Sequence, residues 1–362
     1  MAEQLRAGKG VSMRLGVGLP LAASAAELRG QVELAVAADR LGYDGVWVPE
    51  AYGADAVSVL ATIAARTERI AVGSAVLQIP GRTPAMTAMT AASLNALSQG
   101  RFRLGLGVSG PQVSEGWHGV KFADPLGRTA EYVQIVRDAL ARRRVTAGGE
   151  HFTLPLPDGL GKSLVLALQV DTPPVPIYLA AVGPRNVELT GRIADGWLGI
   201  FFDSDGGREQ VDVLRRGATD AGRDPDALDV AVQVPVSLDA NPVAAGARVR
   251  PYAALYIGGM GAKRANFYHR IATGMGYGAE ADLVQERFLA RDYAGAAQAV
   301  PQEFLERTCL LGDQDQIAAG LRRLAAAGVT TVNLNPVSLP PDQQVRTLQT
   351  VMDVARTEGL LA

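Results

Sequence analysis

The sequence predicts a (β/α)8 barrel, and three observations carry that expectation. First, one junction recurs. LAVAADRLGYDGVWVPE (34–50), TGRIADGWLGIFF (190–202) and LRRLAAAGVTTVNLNP (321–336) each run an Ala-rich helix into Gly or Asp-Gly. A short strand of β-branched or aromatic residues follows each time. Second, strand and helix patterns alternate along the chain, about eight of each. Third, such alternation implies a parallel sheet with right-handed crossovers. A doubly wound open sheet is the alternative.

In order, a strand at 14–19 leads to a helix from Glu27, which ends in a Gly-bearing turn before the strand at 45–48. A helix from Ala56, a strand at 70–77, a helix from Pro84 and a strand at 102–108 follow. The next helix reads from Arg128. The Gly- and Pro-rich stretch 146–176 predicts a long loop with a short hairpin. The strand at 175–181 stops at Gly183-Pro184. Pro184 suits a first helical position, where its missing N–H costs nothing. A strand then opens at Trp197, a helix at Arg208 and a strand at 230–236. Residues 241–307 break the alternation and read as several helices, within which LYIGGMGAKRANFY has the look of a cap over the barrel mouth. Helices from Asp315 and Asp342 flank the last strand. Residues 13–362 are therefore expected to form one barrel domain, preceded by a flexible segment at 1–12.

Composition bounds the function. Nearly half of the 362 residues are apolar, enough for a large core. A net charge of −2 gives no electrostatic case for nucleic acid or an anionic membrane surface. No window approaches the roughly 18 uninterrupted apolar residues of a membrane span, and the first dozen residues lack a signal-peptide core. The lone Cys309 excludes an intrachain disulfide and reads as a small buried hydrophobe, and no Cys/His cluster has metal spacing. A soluble, cytoplasmic protein without a metal is expected.

Gly105-Leu106-Gly107-Val108-Ser109-Gly110 satisfies G-x-G-x-x-G after a strand. The dinucleotide fingerprint requires the last glycine to open a helix. Here Pro111 follows, and PQVSEGWHGVKF shows no helical period, which argues against a Rossmann site. The glycines read instead as room for a flat ligand against the backbone.

In a barrel, the site is built just past each strand. Those positions hold Gly18, then Glu50 and Tyr52, then Ser74, Ala75 and Val76. Strand four supplies Ser109, Gly110 and the loop carrying Glu115, Trp117 and His118, and strand five supplies Gly183. This ring is poor in charge, which suits a planar aromatic ligand. The amides of the helix opening at Pro184 form either an anion site or an ordinary capped turn. Glu50 reads as a functional carboxylate or as a turn cap and ion-pair partner. His118 has a side chain suited to proton transfer near neutrality, or it is a structural loop histidine. Trp117 stacks on a ligand or plugs the loop. Tyr52 and Arg82 are weaker candidates, and His269 reads as a lid or interface residue.

VELAVAADRLGYDGVWVPEAYG, VGSAVLQIPGRTPAMTAMTAASLNALSQGRFRLGLGVSGPQVSEGWHG and YLAAVGPRNVELTGRIADGWL together resemble the bacterial luciferase-like flavin superfamily, and most of all its F420-dependent oxidoreductases. The resemblance runs from Arg14 through nearly the whole chain. It implies a (β/α)8 barrel with an insertion, a homodimer, and the deazaflavin coenzyme F420 as hydride carrier. On it, Glu50 matches an acidic position near the deazaflavin, and the Ala75–Val76 bond matches a non-proline cis peptide behind the ring. Gly183, Pro184 and Arg185 match the stretch that holds the coenzyme's phosphate.

Two positions depart from the family's sugar-phosphate dehydrogenases: Ala51 stands where they carry histidine, and Gly110 where they carry glutamate. Glucose-6-phosphate oxidation is therefore not expected, and His118 or Glu115 would have to supply the proton. The methylenetetrahydromethanopterin reductases are more distant, so the link gives no warrant for that substrate. The expected activity is hydride transfer between F420 and a C=C, C=N or C=O of a small molecule. The alternatives are an FMN-dependent monooxygenase and a non-catalytic F420-binding protein.

Overall fold

The computed structural model describes residues 12–169 and 171–361. At its centre run eight parallel strands: β1 (Arg14–Gly18), β2 (Gly45–Val48), β3 (Ala71–Ser74), β4 (Phe102–Gly107), β5 (Ile177–Ala180), β6 (Gly196–Ile200), β7 (Asp229–Leu238) and β8 (Thr331–Asn335). Each pairs with the next, and β8 pairs with β1, so the ring closes. Closure excludes the open doubly wound sheet. Most of the expected N-terminal segment, residues 1–11, lies outside the described residues.

The helices are α1 (Ala25–Leu41), α2 (Ala56–Arg66), α3 (Pro84–Leu97), α4 (Pro111–Gly116), α5 (Pro125–Leu140), α6 (Pro184–Ile193) and α7 (Arg208–Asp220), followed by α8 (Pro242–Ala254), α9 (Phe267–Gly274), α10 (Gly278–Leu289), α11 (Tyr293–Ala299), α12 (Gln302–Thr308), α13 (Gln314–Ala326) and α14 (Pro341–Thr357). Local chemistry starts them. Ser24, Asp55 and Thr83 accept the N–H of Glu27, Ser58 and Met86, and Asp313 forms a capping box with Gln316. Helix α5 opens at Pro125 because Asp124 accepts the Gly127 N–H at 3.2 Å, three residues ahead of the expected start. Between α5 and β5, Ala147–Gly148 pairs antiparallel with Thr153–Leu154, the expected hairpin. His151 fastens it to α5 through Asp124 Oδ2 at 3.0 Å.

Helix α4 corrects the sequence reading. It begins directly after Gly110, with Pro111 in its first turn, so the last glycine of the G-x-G-x-x-G run does open a helix. At six residues it is too short to show a period. The other two glycines also make room inside the barrel. A methyl at Gly105 would lie 1.9 Å from the Ser74 carbonyl oxygen, and one at Gly107 2.5 Å from Val76.

Strand side chains alternate between the helix layer and the barrel interior. Val46, Val72, Leu104, Val232 and Val332 belong to the large core under the helices. Trp47, Tyr178 and Ala231 form a separate interior cluster. Large interior side chains fit only because neighbouring strands present glycine: a methyl at Gly73 would lie 2.5 Å from the Trp47 ring, and one at Gly196 2.2 Å from the Tyr178 ring. The two rings meet edge to face at 5.0 Å. At the strands' N-terminal end, Asp229 pairs with Arg14 at 2.8 Å and accepts from the hydroxyls of Tyr178, Thr330 and Thr331. Burial alone would raise its pKa, but these partners hold the carboxyl below the usual range.

Helices α8 to α12 fill the insertion between β7 and β8 and build their own core. Phe201, at the end of β6, enters that core and meets Tyr252, Tyr256, Tyr268 and Phe304 at 5.6–6.3 Å. Cys309 sits there too, and burial pushes its thiol up to about 12, which removes it as a nucleophile.

Candidate active site

A cavity of about 460 Å3 opens at the C-terminal ends of the strands, where barrel enzymes bind their ligands. Its barrel side is formed by Trp47, Ala75, Leu198, Gln233 and Asn333. Gln233 and Asn333 are register partners on β7 and β8. The facing glycines of β1 admit them: a methyl at Gly16 would lie 2.1 Å from Asn333 Oδ1, and one at Gly18 3.2 Å from the Gln233 amide. Asn333 is buried, and its Oδ1 has no hydrogen-bond partner among the described residues.

Val76, Gly107, Ser109 and Gly110 line the β3 and β4 side. The Ala75–Val76 bond is cis, as the resemblance implies. Gly183 to Asn186 line the β5 side. Gly183 takes φ 83° and ψ 149°, a conformation nearly restricted to glycine, and caps α6 without any side-chain bond. The first amides of α6 are thus free of an internal cap, and Arg185 of the same turn borders the cavity with no salt-bridge partner among the described residues. An uncapped, ten-residue helix with a cation in its first turn fits a phosphate.

The insertion supplies the opposite wall. Five residues, Leu255–Gly259, widen into a π-turn after α8. The Asn266 amide donates to the carbonyls of Tyr256 and Ile257 at 2.9 and 2.8 Å, while its oxygen accepts the N–H of Tyr268 and His269. One buried side chain thereby fixes Tyr256, Phe267 and Tyr268, all on the cavity. Burial raises the phenol pKa of Tyr256 and Tyr268.

Glu50 borders the cavity, but its carboxylate is committed. Arg82 grips both oxygens, one at 2.9 Å, and also reaches Asp55 at 2.8 Å. Oε1 further accepts the Ala56 N–H at 3.2 Å. Burial would lower the Arg82 pKa, yet the two carboxylates raise it on balance. Gln78 joins this group, donating to the Glu50 carbonyl at 3.3 Å.

Several expected residues stand elsewhere. His118, Glu115 and Trp117 do not line the cavity, because α4 and the turn after it carry them outward. His118 Nε2 bonds Gln78 Oε1 at 2.6 Å, so it reaches the cavity only through that amide. Glu115 accepts the Phe122 N–H at 3.0 Å and closes its own loop. Trp117 is exposed. Ser74 is fully buried, exchanging hydrogen bonds with the Gly105 backbone, and Gly18 only makes room for Gln233. His269 pairs with Asp282 at 2.9 Å on the insertion. Tyr52 does line the mouth, half exposed, with its hydroxyl 3.9 Å from the Met260 sulfur. Asp124, Glu150 and His151 bring ligand-type atoms within 4.8 Å of one another at the hairpin, but none of the three lines the cavity.

Sequence reasoning missed Gln78, Gln233, Asn333 and Asn266. For Gln233 and Asn333 a signal existed: each is an amide at an inward position flanked on both sides by apolar strand residues, Val232 and Val234, Val332 and Leu334.

The fold and this cavity define a (β/α)8-barrel enzyme with its site at the strand ends. The chain belongs to the luciferase-like monooxygenase family, whose model matches residues 10–331, and is an oxidoreductase of that family. Rv3520c of Mycobacterium tuberculosis, which carries the name coenzyme F420-dependent oxidoreductase, is 39% identical over 323 residues, covering 87% of this chain and 92% of that protein. The 5,10-methylenetetrahydromethanopterin reductase of Methanolobus tindarius is 33% identical over 223 residues, covering 61% and 65%. The solved coenzyme F420-dependent tetrahydromethanopterin reductase of Methanopyrus kandleri superposes with a TM-score of 0.81 at 22% identity, covering 94% and 97%, a likeness of fold.

Proposed function

We propose that this protein is an F420-dependent oxidoreductase acting on an unsaturated small molecule. The observation that carries the reading is the uncapped N-terminus of α6 with Arg185 beside it, opening onto a largely apolar cavity. The similarity to Rv3520c supports the choice of coenzyme. Gly183 to Asn186 would hold its phosphate, and Val76, Leu198, Gln233 and Asn333 would receive its ring. When bound in reduced form, the coenzyme supplies a hydride to an electron-poor carbon.

The chain's own residues do the rest. Trp47, Leu198 and the aromatic insertion wall exclude water and fix the reacting partners, which is worth several orders of magnitude when two centres are held in contact. The Glu50–Arg82–Asp55 group keeps one guanidinium shared between two carboxylates at the rim. Among the cavity-lining residues Tyr52 is placed to hand over the proton: the Glu50 oxygens are occupied, and desolvation raises the phenols of Tyr256 and Tyr268, which makes them weaker acids. Solvent at the mouth reprotonates it.

A cytoplasmic homodimer is part of the reading. Helix α3 contains no charged residue and exposes Met86, Met89 and Leu97, an apolar face that a second copy would cover. No described helix is long and apolar enough to cross a membrane.

Rapid mixing of the purified protein with reduced F420 and an electron-poor alkene tests the activity. Oxidation of the bound coenzyme faster than in free solution is expected. A coenzyme that binds and is never turned over by alkenes, imines or ketones would instead mark a carrier.

A further inference from the structure

The cavity also limits what can be reduced. We infer that the substrate is uncharged at neutral pH and carries a planar ring conjugated to its reacting carbonyl or alkene. This rests on the reading of the site as F420-dependent.

Among the described residues, only two cavity-lining side chains carry a full charge, Glu50 and Arg185. Arg82 pairs with the first through both guanidinium nitrogens, and the second carboxylate it holds, Asp55, does not line the cavity. Arg185 stands at the α6 N-terminus, the position assigned to the coenzyme's phosphate. The remaining wall offers no cation to a carboxylate or phosphate and no anion to an amine. A charged group buried there loses its hydration without a partner, a cost larger than the surrounding contacts return. Lys263 and Arg264 lie between cavity residues Gly261 and Ala265, but both are exposed and do not line the cavity. Such solvated cations give little binding energy.

The same wall favours rings. Tyr256 and Tyr268 meet edge to face at 4.8 Å, and Phe122 and Phe267 stand 6.5 Å apart across the mouth. Asn266 fixes three of these four rings to one piece of backbone. A planar body therefore meets preorganised aromatic faces and edges with little ordering cost.

The test compares two compounds with one skeleton, benzylideneacetone and cinnamate, with glucose-6-phosphate as a second anion. Binding of F420 is measured first by its fluorescence. Failure at that step defeats the functional reading itself, and the ligand comparison separates the two ideas. Calorimetric titration of the F420-loaded protein should then show benzylideneacetone binding at least about tenfold more tightly than either anion. Phe267→Ala should weaken benzylideneacetone about tenfold. Met260→Arg, which adds a cation to the wall, should narrow the gap by strengthening cinnamate. Equal or tighter binding of an anion, or no binding of benzylideneacetone to loaded wild-type protein, overturns the proposal. So does a Met260→Arg protein whose preference is unchanged.

Discussion

Asp39 shows how single residues position the barrel. At the end of α1 its carboxylate accepts the backbone N–H of Glu68, Arg69 and Ile70 at 3.0, 3.1 and 2.7 Å, fixing the turn into β3. Burial pushes its pKa up, but the three amides hold it below the ordinary 3.8. A lowered folded value means that the charged form stabilises the fold at neutral pH and that this contribution is lost as pH falls through the lowered value. Asp39→Asn is expected to cost roughly 1–3 kcal/mol at pH 7. Urea midpoints should show the gap to wild type closing below about pH 4; a gap constant from pH 7 to pH 3 contradicts this. At the site, Tyr52→Phe should lower the rate of the chemical step by about tenfold to a hundredfold, whereas His118→Ala should change it by less than about threefold. Single-turnover rates decide, and the reverse order would return the proton to His118. The histidine was legible as a candidate because it is rare and near a strand end. Its real bond, to the Gln78 amide, depends on α4, which leaves no periodic trace in six residues.

Helix α6 carries the functional argument at the scale of elements. Its N-terminus was readable from YLAAVGPRN alone, since a strand stopping at Gly-Pro admits few other structures. Gly183 adopts a backbone conformation closed to other residues, and no side chain caps the amides. Arg185→Ala should weaken F420 binding by about five- to thirtyfold, and raising salt should weaken the wild type more than the variant. Fluorescence titration at two ionic strengths reads both effects; unchanged affinity would place the phosphate elsewhere. The G-x-G-x-x-G run teaches the opposite lesson. Its spacing was plain, but its first two glycines answer to Ser74 at the end of β3 and Val76 just past it, contacts that no local pattern encodes.

The whole molecule joins a barrel to a helical insertion, and one ring is central to the junction. Phe201 leaves β6 and packs among Tyr252, Tyr256, Tyr268 and Phe304, so the cap's core and the barrel share a side chain. Phe201→Ala is expected to cost roughly 3–5 kcal/mol. Hydrogen exchange should accelerate first in α8, α9 and α12 while β1 to β4 stay protected; a uniform change would argue against this coupling. All eight barrel strands were legible because helix and strand periods alternate along the chain. The insertion was legible as a break in that alternation filled by helices. Its aromatic wall arises from contacts between distant residues, as do the floor amides Gln233 and Asn333. The central claim is that this cavity is built for a deazaflavin coenzyme with a phosphate on α6. Titrating the purified protein with F420 and, separately, with FMN tests it most directly. Saturable F420 binding at about micromolar concentration or below, with FMN distinctly weaker, is the expected result; tight FMN binding with no F420 binding would contradict it.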